Sequence, residues 1–126
     1  MSGVLVDTTV VIDLLRGYGP AHEFVLGLAA VPGASEITRI EVLRGVRSGE
    51  RRLTDRLLST FQWFPVDEAI ARRAGDLGRR TRASHRGLAT ADLVIAATAL
   101  QHGLALSTLN VRHFPMFEAL QPPYRA

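Results

Sequence analysis

Short apolar runs alternate with longer stretches in which apolar residues return every three or four positions. That alternation sets the expected order of elements. Val4, Leu5 and Val6 predict a short buried strand over 4–6, and the pattern from Thr8 onward predicts a helix over 8–16 closed by Gly17. A second helix is expected over 21–30, between Gly19-Pro20 and Val31-Pro32-Gly33. Residues 34–37 read as a strand that runs into a helix from about residue 39. After Gly45 and Ser48-Gly49 come an expected helix over 50–60, a strand over 61–66 and a long helix from Asp67 to about Ser84. Its apolar face carries Ala69, Ile70, Ala74 and Leu77. A polar loop through His85 and Arg86 leads to a helix over 91–101 that is apolar almost all round and therefore buried. A strand over 104–107, a turn over 110–114 and a last strand over 116–120 complete the reading.

Strands alternating with helices predict an α/β fold, a mainly parallel central sheet of four to five strands with helices on both faces. The 126 residues, without repeat, linker or low-complexity tract, are expected to form a single domain over 1–126. Sites in such sheets lie outside the carboxyl ends of the strands, where the strand order reverses. Asp7 follows the first expected strand directly.

Composition narrows the chemistry. There is no cysteine, so disulfides, thiolate zinc sites and cysteine nucleophiles are excluded, and any metal must sit on oxygen or imidazole. All 15 basic residues are arginine, against 12 acids. An arginine-only surface suits phosphate or carboxylate recognition, although a net charge of +3 also fits an ordinary solvated surface. No apolar run approaches the ~20 residues of a membrane span and no leader pattern opens the chain, so a cytoplasmic protein with no membrane contact is expected.

Taken singly, each acid has a structural explanation. Asp7 fits a helix cap, Thr38 to Glu41 fits the capping-box spacing, and Asp92 stands two residues after Thr90, another candidate cap. Taken together, all three are expected at helix starts on one sheet edge, where mutual repulsion calls for a cation. Oxygen donors without thiolate or a histidine pair favour Mg²⁺ or Mn²⁺. Asn110, after the fourth strand, could add an amide oxygen at the same edge or be an ordinary turn residue. Asp13 reads as an exposed partner of Arg16 and Asp67 and Glu68 as caps; the four histidines show no ligand spacing, and His113 could sit near Asn110 and the edge cluster but reads better as a surface histidine. Trp63 and Phe64 read as core or interface rather than as base-stacking residues.

Four blocks in this order and spacing resemble the PIN-domain ribonucleases, and within them the VapC-type toxins of bacterial toxin–antitoxin pairs. The blocks are VDTTVVIDLLRG at 6–17, SEITRIEVLRG at 35–45, ADLVIAATAL at 91–100 and LSTLNVRHF at 106–114. The resemblance places the family's acidic residues on Asp7, Glu41 and Asp92. Its fourth site, often aspartate, falls on Asn110, and its supporting hydroxyl falls on Thr8 or Thr9, of which Thr9 is preferred. It implies a single PIN domain that cleaves structured RNA of the tRNA or rRNA class with Mg²⁺ or Mn²⁺. Asp7 and Asp92 would be the main metal ligands, Glu41 a ligand or the orienter of water, and Asn110 the last member of the ring. It further implies a homodimer neutralised by a VapB-like antitoxin. Of the two arginine clusters, Arg72, Arg73, Arg79, Arg80, Arg82 and Arg86 could meet the RNA backbone or solvent. Arg39, Arg44, Arg47, Arg51, Arg52 and Arg56 lie in the region where family members grip the antitoxin.

Four other functions compete. Receivers and haloacid-dehalogenase-type phosphatases also place an aspartate after the first strand, but both use a lysine that this chain lacks. Flap-type nucleases of structured DNA carry more acids and extra clasping elements. An RNA-binding module that kept the fold and lost the chemistry would not need three carboxylates.

Overall fold

A computed structural model describes residues 3–82 and 87–126. The expected end of the long helix near Ser84 and the loop through His85 and Arg86 lie outside the described residues.

The elements follow in the order β1 (Val4–Val6), α1 (Thr8–Leu15), α2 (Gly19–Leu26), β2 (Gly33–Ser35), α3 (Glu36–Arg44), α4 (Arg51–Leu58), β3 (Gln62–Phe64), α5 (Glu68–Thr81), α6 (Thr90–His102) and β4 (Ala105–Ser107). A 3₁₀ turn over Val111–His113 follows. The four strands pair in parallel in the order β3-β2-β1-β4. From β1 the chain moves outward through β2 and β3, then crosses to the far side of β1 to form β4. The strand order therefore reverses between β1 and β4, whose carboxyl ends are Val6-Asp7 and Ser107-Thr108.

The pleat sorts the core into two layers. Leu5 and Leu106 face a cluster built from Ile70, Ala74 and Leu77 of α5, Val94 to Ala97 of α6 and Phe114. Val6, one residue along, faces the opposite cluster with Val10, Val11 and Leu14 of α1, Ala21 of α2 and Leu58 of α4. Helices thus cover both faces of the sheet, as a parallel sheet requires. Gly103, at φ 64°, ends α6 in the left-handed conformation that glycine adopts without strain.

Most boundaries shift by one or two residues, β3 for example covering Gln62–Phe64 of the expected 61–66, and three differences matter more. β2 stops at Ser35, whose hydroxyl accepts from Ile37 N–H at 3.2 Å and caps α3. Thr38 is therefore inside the helix and fully buried rather than a cap, and Glu41 lies in its second turn instead of its first. α2 ends at Leu26, four residues early, where Gly27 takes the closing backbone bonds. The expected strand over 116–120 is a series of turns, so the sheet has four strands among the described residues. Its residues Met116 and Phe117, adjacent in sequence, and Leu120 all pack against the same cluster, which a strand that alternates sides cannot do. Ala119, at φ 56°, breaks any extended path there.

β2 and β3 approach closely at one glycine. A Cβ on Gly33 would lie 2.5 Å from Phe64 Cε2. That ring lies against the His102 imidazole at a tilt of 42° with centroids 4.4 Å apart, which limits its room to yield. Gly33→Ala is expected to destabilise the fold by about 1–3 kcal/mol in urea unfolding, the usual cost of an overpacked core.

Candidate active site

Asp7 leaves β1 at the reversal point and caps α1, accepting the Val10 N–H at Oδ1, 3.3 Å away. Its own N–H donates to the Ser107 carbonyl at 3.0 Å, continuing the β1–β4 pairing by one residue. The carboxylate is only 3% exposed. Thr9 donates to Oδ1 at 2.5 Å and Thr108, itself fully buried, donates to Oδ2. Burial pushes the Asp7 carboxyl above the ordinary carboxylate range, and the bonds from Thr108, Thr9 and the helix N-terminus pull it only part of the way back.

Consecutive threonines serve different acids. The Thr8 hydroxyl lies 2.6 Å from Glu41 Oε1 and 3.0 Å from Thr38 Oγ1, which ties the start of α1 to the second turn of α3. Asp92 is the third residue of α6. It is not the cap, which is Ala89 and makes no side-chain bond. Its position in the first turn still gives it the favourable end of the helix dipole. Burial raises the Asp92 carboxyl and the nearby Glu41 raises it further, while His113, with Nδ1 3.1 Å from Asp92 Oδ2, lowers it. Asn110 is exposed. Its N–H donates to Thr108 Oγ1 at 2.9 Å and its carbonyl accepts the His113 N–H at 2.9 Å, so its contacts here are those of its backbone.

The fold brings Asp7, Glu41 and Asp92 to one edge, with Thr9 on Asp7 and Asn110 in the loop beyond. Two expectations need correction. Asp13 takes the hydroxyl of Tyr124 at 2.8 Å, not Arg16, and Glu68 pairs with Arg72 at 2.7 Å while Asp67 alone caps α5. Sequence reasoning missed Thr108 and the contact made by His113. The signal for Thr108 was available, since a hydroxyl directly after the fourth strand must meet the edge that holds Asp7. Beside Glu41 opens a cavity of about 400 Å³, lined among others by Ile12, Leu15, Arg16, Val46, Arg47 and Leu53.

The pattern that defines the PIN domain matches residues 4–115. The sequence is 48% identical to ribonuclease VapC19 of Mycobacterium tuberculosis over 95% of this chain and 98% of that protein. It is 45% identical to ribonuclease VapC10 of the same organism, over 96% and 92%. This chain belongs to the PIN-domain family, among its VapC ribonucleases. A solved toxin–antitoxin complex from Klebsiella pneumoniae contains a chain with a TM-score of 0.85 and 30% identity to this PIN domain, covering 98% of it and all of that chain, 100%.

The raised Asp7 carboxyl has a consequence for stability. Below about pH 3.8, the ordinary value, both folded and unfolded chains hold the proton and burial costs nothing. As pH rises from there the unfolded chain ionises first, so the fold loses stability, and the loss is complete above the raised folded value. In protein stripped of divalent ions, Asp7→Asn is therefore expected to melt at a higher temperature than the parent at pH 7. The gap should close as the pH falls toward 4, as followed by thermal unfolding monitored by circular dichroism.

Proposed function

We propose that this PIN domain is the toxin of a toxin–antitoxin pair, an Mg²⁺- or Mn²⁺-dependent endoribonuclease that cuts structured RNA of the tRNA or rRNA class. The observation that carries the reading is the pair of adjacent threonines, one holding Asp7 and the next-door hydroxyl holding Glu41, at the edge where α6 delivers Asp92. VapC ribonuclease relatives at 45–48% identity support the activity.

The donor set suits a hard cation. Asp7 and Asp92 are both held in an environment that disfavours their charge, and Glu41 adds to the cost at Asp92, so a cation relieves all three. Among the described residues no three acid or histidine side chains stand together closely enough to hold an ion by themselves. An ion here would have to take much of its shell from water and substrate phosphate, as Mg²⁺ does. Asp7 and Asp92 are assigned as ligands, Glu41 as a ligand or the acceptor that orients the attacking water, and the exposed amide of Asn110 as the outermost oxygen. A bound ion supplies an activated water and counters the charge on the cleaved phosphate. Thr9, Thr108 and Thr8 keep Asp7 and Glu41 from rotating away.

The cavity beside Glu41 combines apolar walls from Ile12, Leu15 and Leu53 with Arg16 and Arg47. It suits an amphipathic segment of a VapB-like antitoxin laid over the active site, and the Klebsiella toxin–antitoxin complex supports such a partner. The reading also holds the 126 residues to be one PIN domain, acting as a homodimer in the cytoplasm. Among the described residues no helix is long and apolar enough to cross a membrane.

Purified protein freed of any partner is expected to cut total structured RNA when Mg²⁺ or Mn²⁺ is present and to stop in EDTA. Asp7→Ala and Asp92→Ala should each lower the rate by more than roughly 100-fold. Cleavage that survives chelation, or survives in either variant, would refute the assignment.

A further inference from the structure

Two of the three carboxylates have threonine donors. Asp7 is held at both oxygens by Thr9 and Thr108, and Glu41 at Oε1 by Thr8. Among the described residues no hydroxyl donates to Asp92. Among the described residues its side-chain partner is the imidazole of His113, Nδ1 to Oδ2 at 3.1 Å. We infer that His113 is a positioning residue that fixes the Asp92 carboxylate for metal binding, doing for this acid what the threonines do for the other two. The inference rests on the reading of Asp92 as a metal ligand.

The backbone around His113 is built to present the ring. Thr108, already clamped on Asp7, accepts the Asn110 N–H, and the Asn110 carbonyl accepts the His113 N–H to close the 3₁₀ turn. The next residue, Phe114, is 1% exposed and anchors the turn in the core beneath the sheet. The imidazole is therefore carried between a hydroxyl tied to the site and a buried aromatic. The ring itself is not a core element, for its side chain is 54% exposed while that of Asp92 is 19% exposed. Its contact with protein is made through the edge that bears Nδ1.

A carboxylate turns readily about its terminal bond. With Oδ2 bonded to Nδ1–H, the lone pairs of Oδ1 are aimed in one direction, as partners of metal-binding side chains generally achieve. Nδ1 carries a proton in one neutral tautomer and in the cation alike, so this hold does not depend on the ring changing charge.

The test uses the full-length, partner-free protein and three substitutions. His113→Ala removes the donor, His113→Asn puts an amide N–H near the place of Nδ1, and His113→Gln moves it toward the place of Nε2. Calorimetric Mn²⁺ titration should show binding weakened by roughly 10–100-fold in the alanine variant, the usual effect of losing such a partner. The asparagine variant should recover most of that loss and the glutamine variant should not, with melting temperatures in EDTA unchanged throughout. Wild-type affinity in the alanine variant, or equal losses in the alanine and asparagine variants, would overturn the inference. In metal-free protein, proton–nitrogen NMR should show a protected His113 Nδ1–H that Asp92→Ala abolishes, and a signal indifferent to that change also overturns it. A parent protein that takes up no Mn²⁺ while this signal behaves as expected would overturn the metal reading instead.

Discussion

The organising constraint is a carboxylate buried at the point where the sheet reverses its strand order. An unpaired charge at 3% exposure would be prohibitive, so the residues around Asp7 are obliged to supply donors. Val10 gives a backbone N–H, Thr9 a hydroxyl from the first turn of α1, and Thr108 a hydroxyl from the end of β4. These threonines then accept in turn, Thr9 from the Leu109 N–H at 3.3 Å and Thr108 from the Asn110 N–H. One acid therefore bolts together two segments that stand about a hundred residues apart. Among the described residues no buried side-chain polar atom is left without a partner.

The topology turns that local arrangement into a site. A parallel sheet delivers the β1–α1 and β2–α3 junctions to the same edge, and α6, which follows α5 and runs back to the start of β4, begins at that edge too, so three helices bring acids to one place without any of them being close in sequence. The ensuing repulsion is visible at Asp92, whose carboxyl is raised by burial and then by Glu41. Such a cluster works against stability, a cost that the proposed function would account for.

Much of this was legible in the sequence because it is local. The run Val4 to Val6 is short, apolar and followed by a polar break, Asp67 caps α5 as its position implies, and Gly103 stops α6 by backbone conformation alone. The β2–α3 boundary was not legible, because Ser35 and Thr38 both offer a hydroxyl followed by helical residues. The choice falls to Ser35 because Gly33 to Ser35 are held in register with β3. Asp13 illustrates the same limit at longer range, since its partner Tyr124 lies 111 residues away. His113, three residues beyond Asn110, could be placed near the edge cluster but read better as a surface histidine; it is half exposed, and the 3₁₀ turn that brings its ring to Asp92 is what the sequence did not show.

The arginines show what pairing does to a charge count. On α5, Arg72 is neutralised by Glu68, Arg79 and Arg80 share Asp76, and Arg73 bonds to Gln101. Arg39 is paired with Glu36 and lies 4.0 Å over the Trp63 ring. Among the described residues Arg44, Arg47, Arg51, Arg52 and Arg56 are exposed and have no such ion pair, and all five stand on α3, on α4 or between them. Arginines without an ion pair thus gather beside the cavity that Glu41 borders, whereas most of those on the long helix α5 are tied to neighbouring side chains. Under the proposed function, an RNA backbone and an acidic inhibitor segment would be drawn to the same surface. Either attraction would weaken as salt rises.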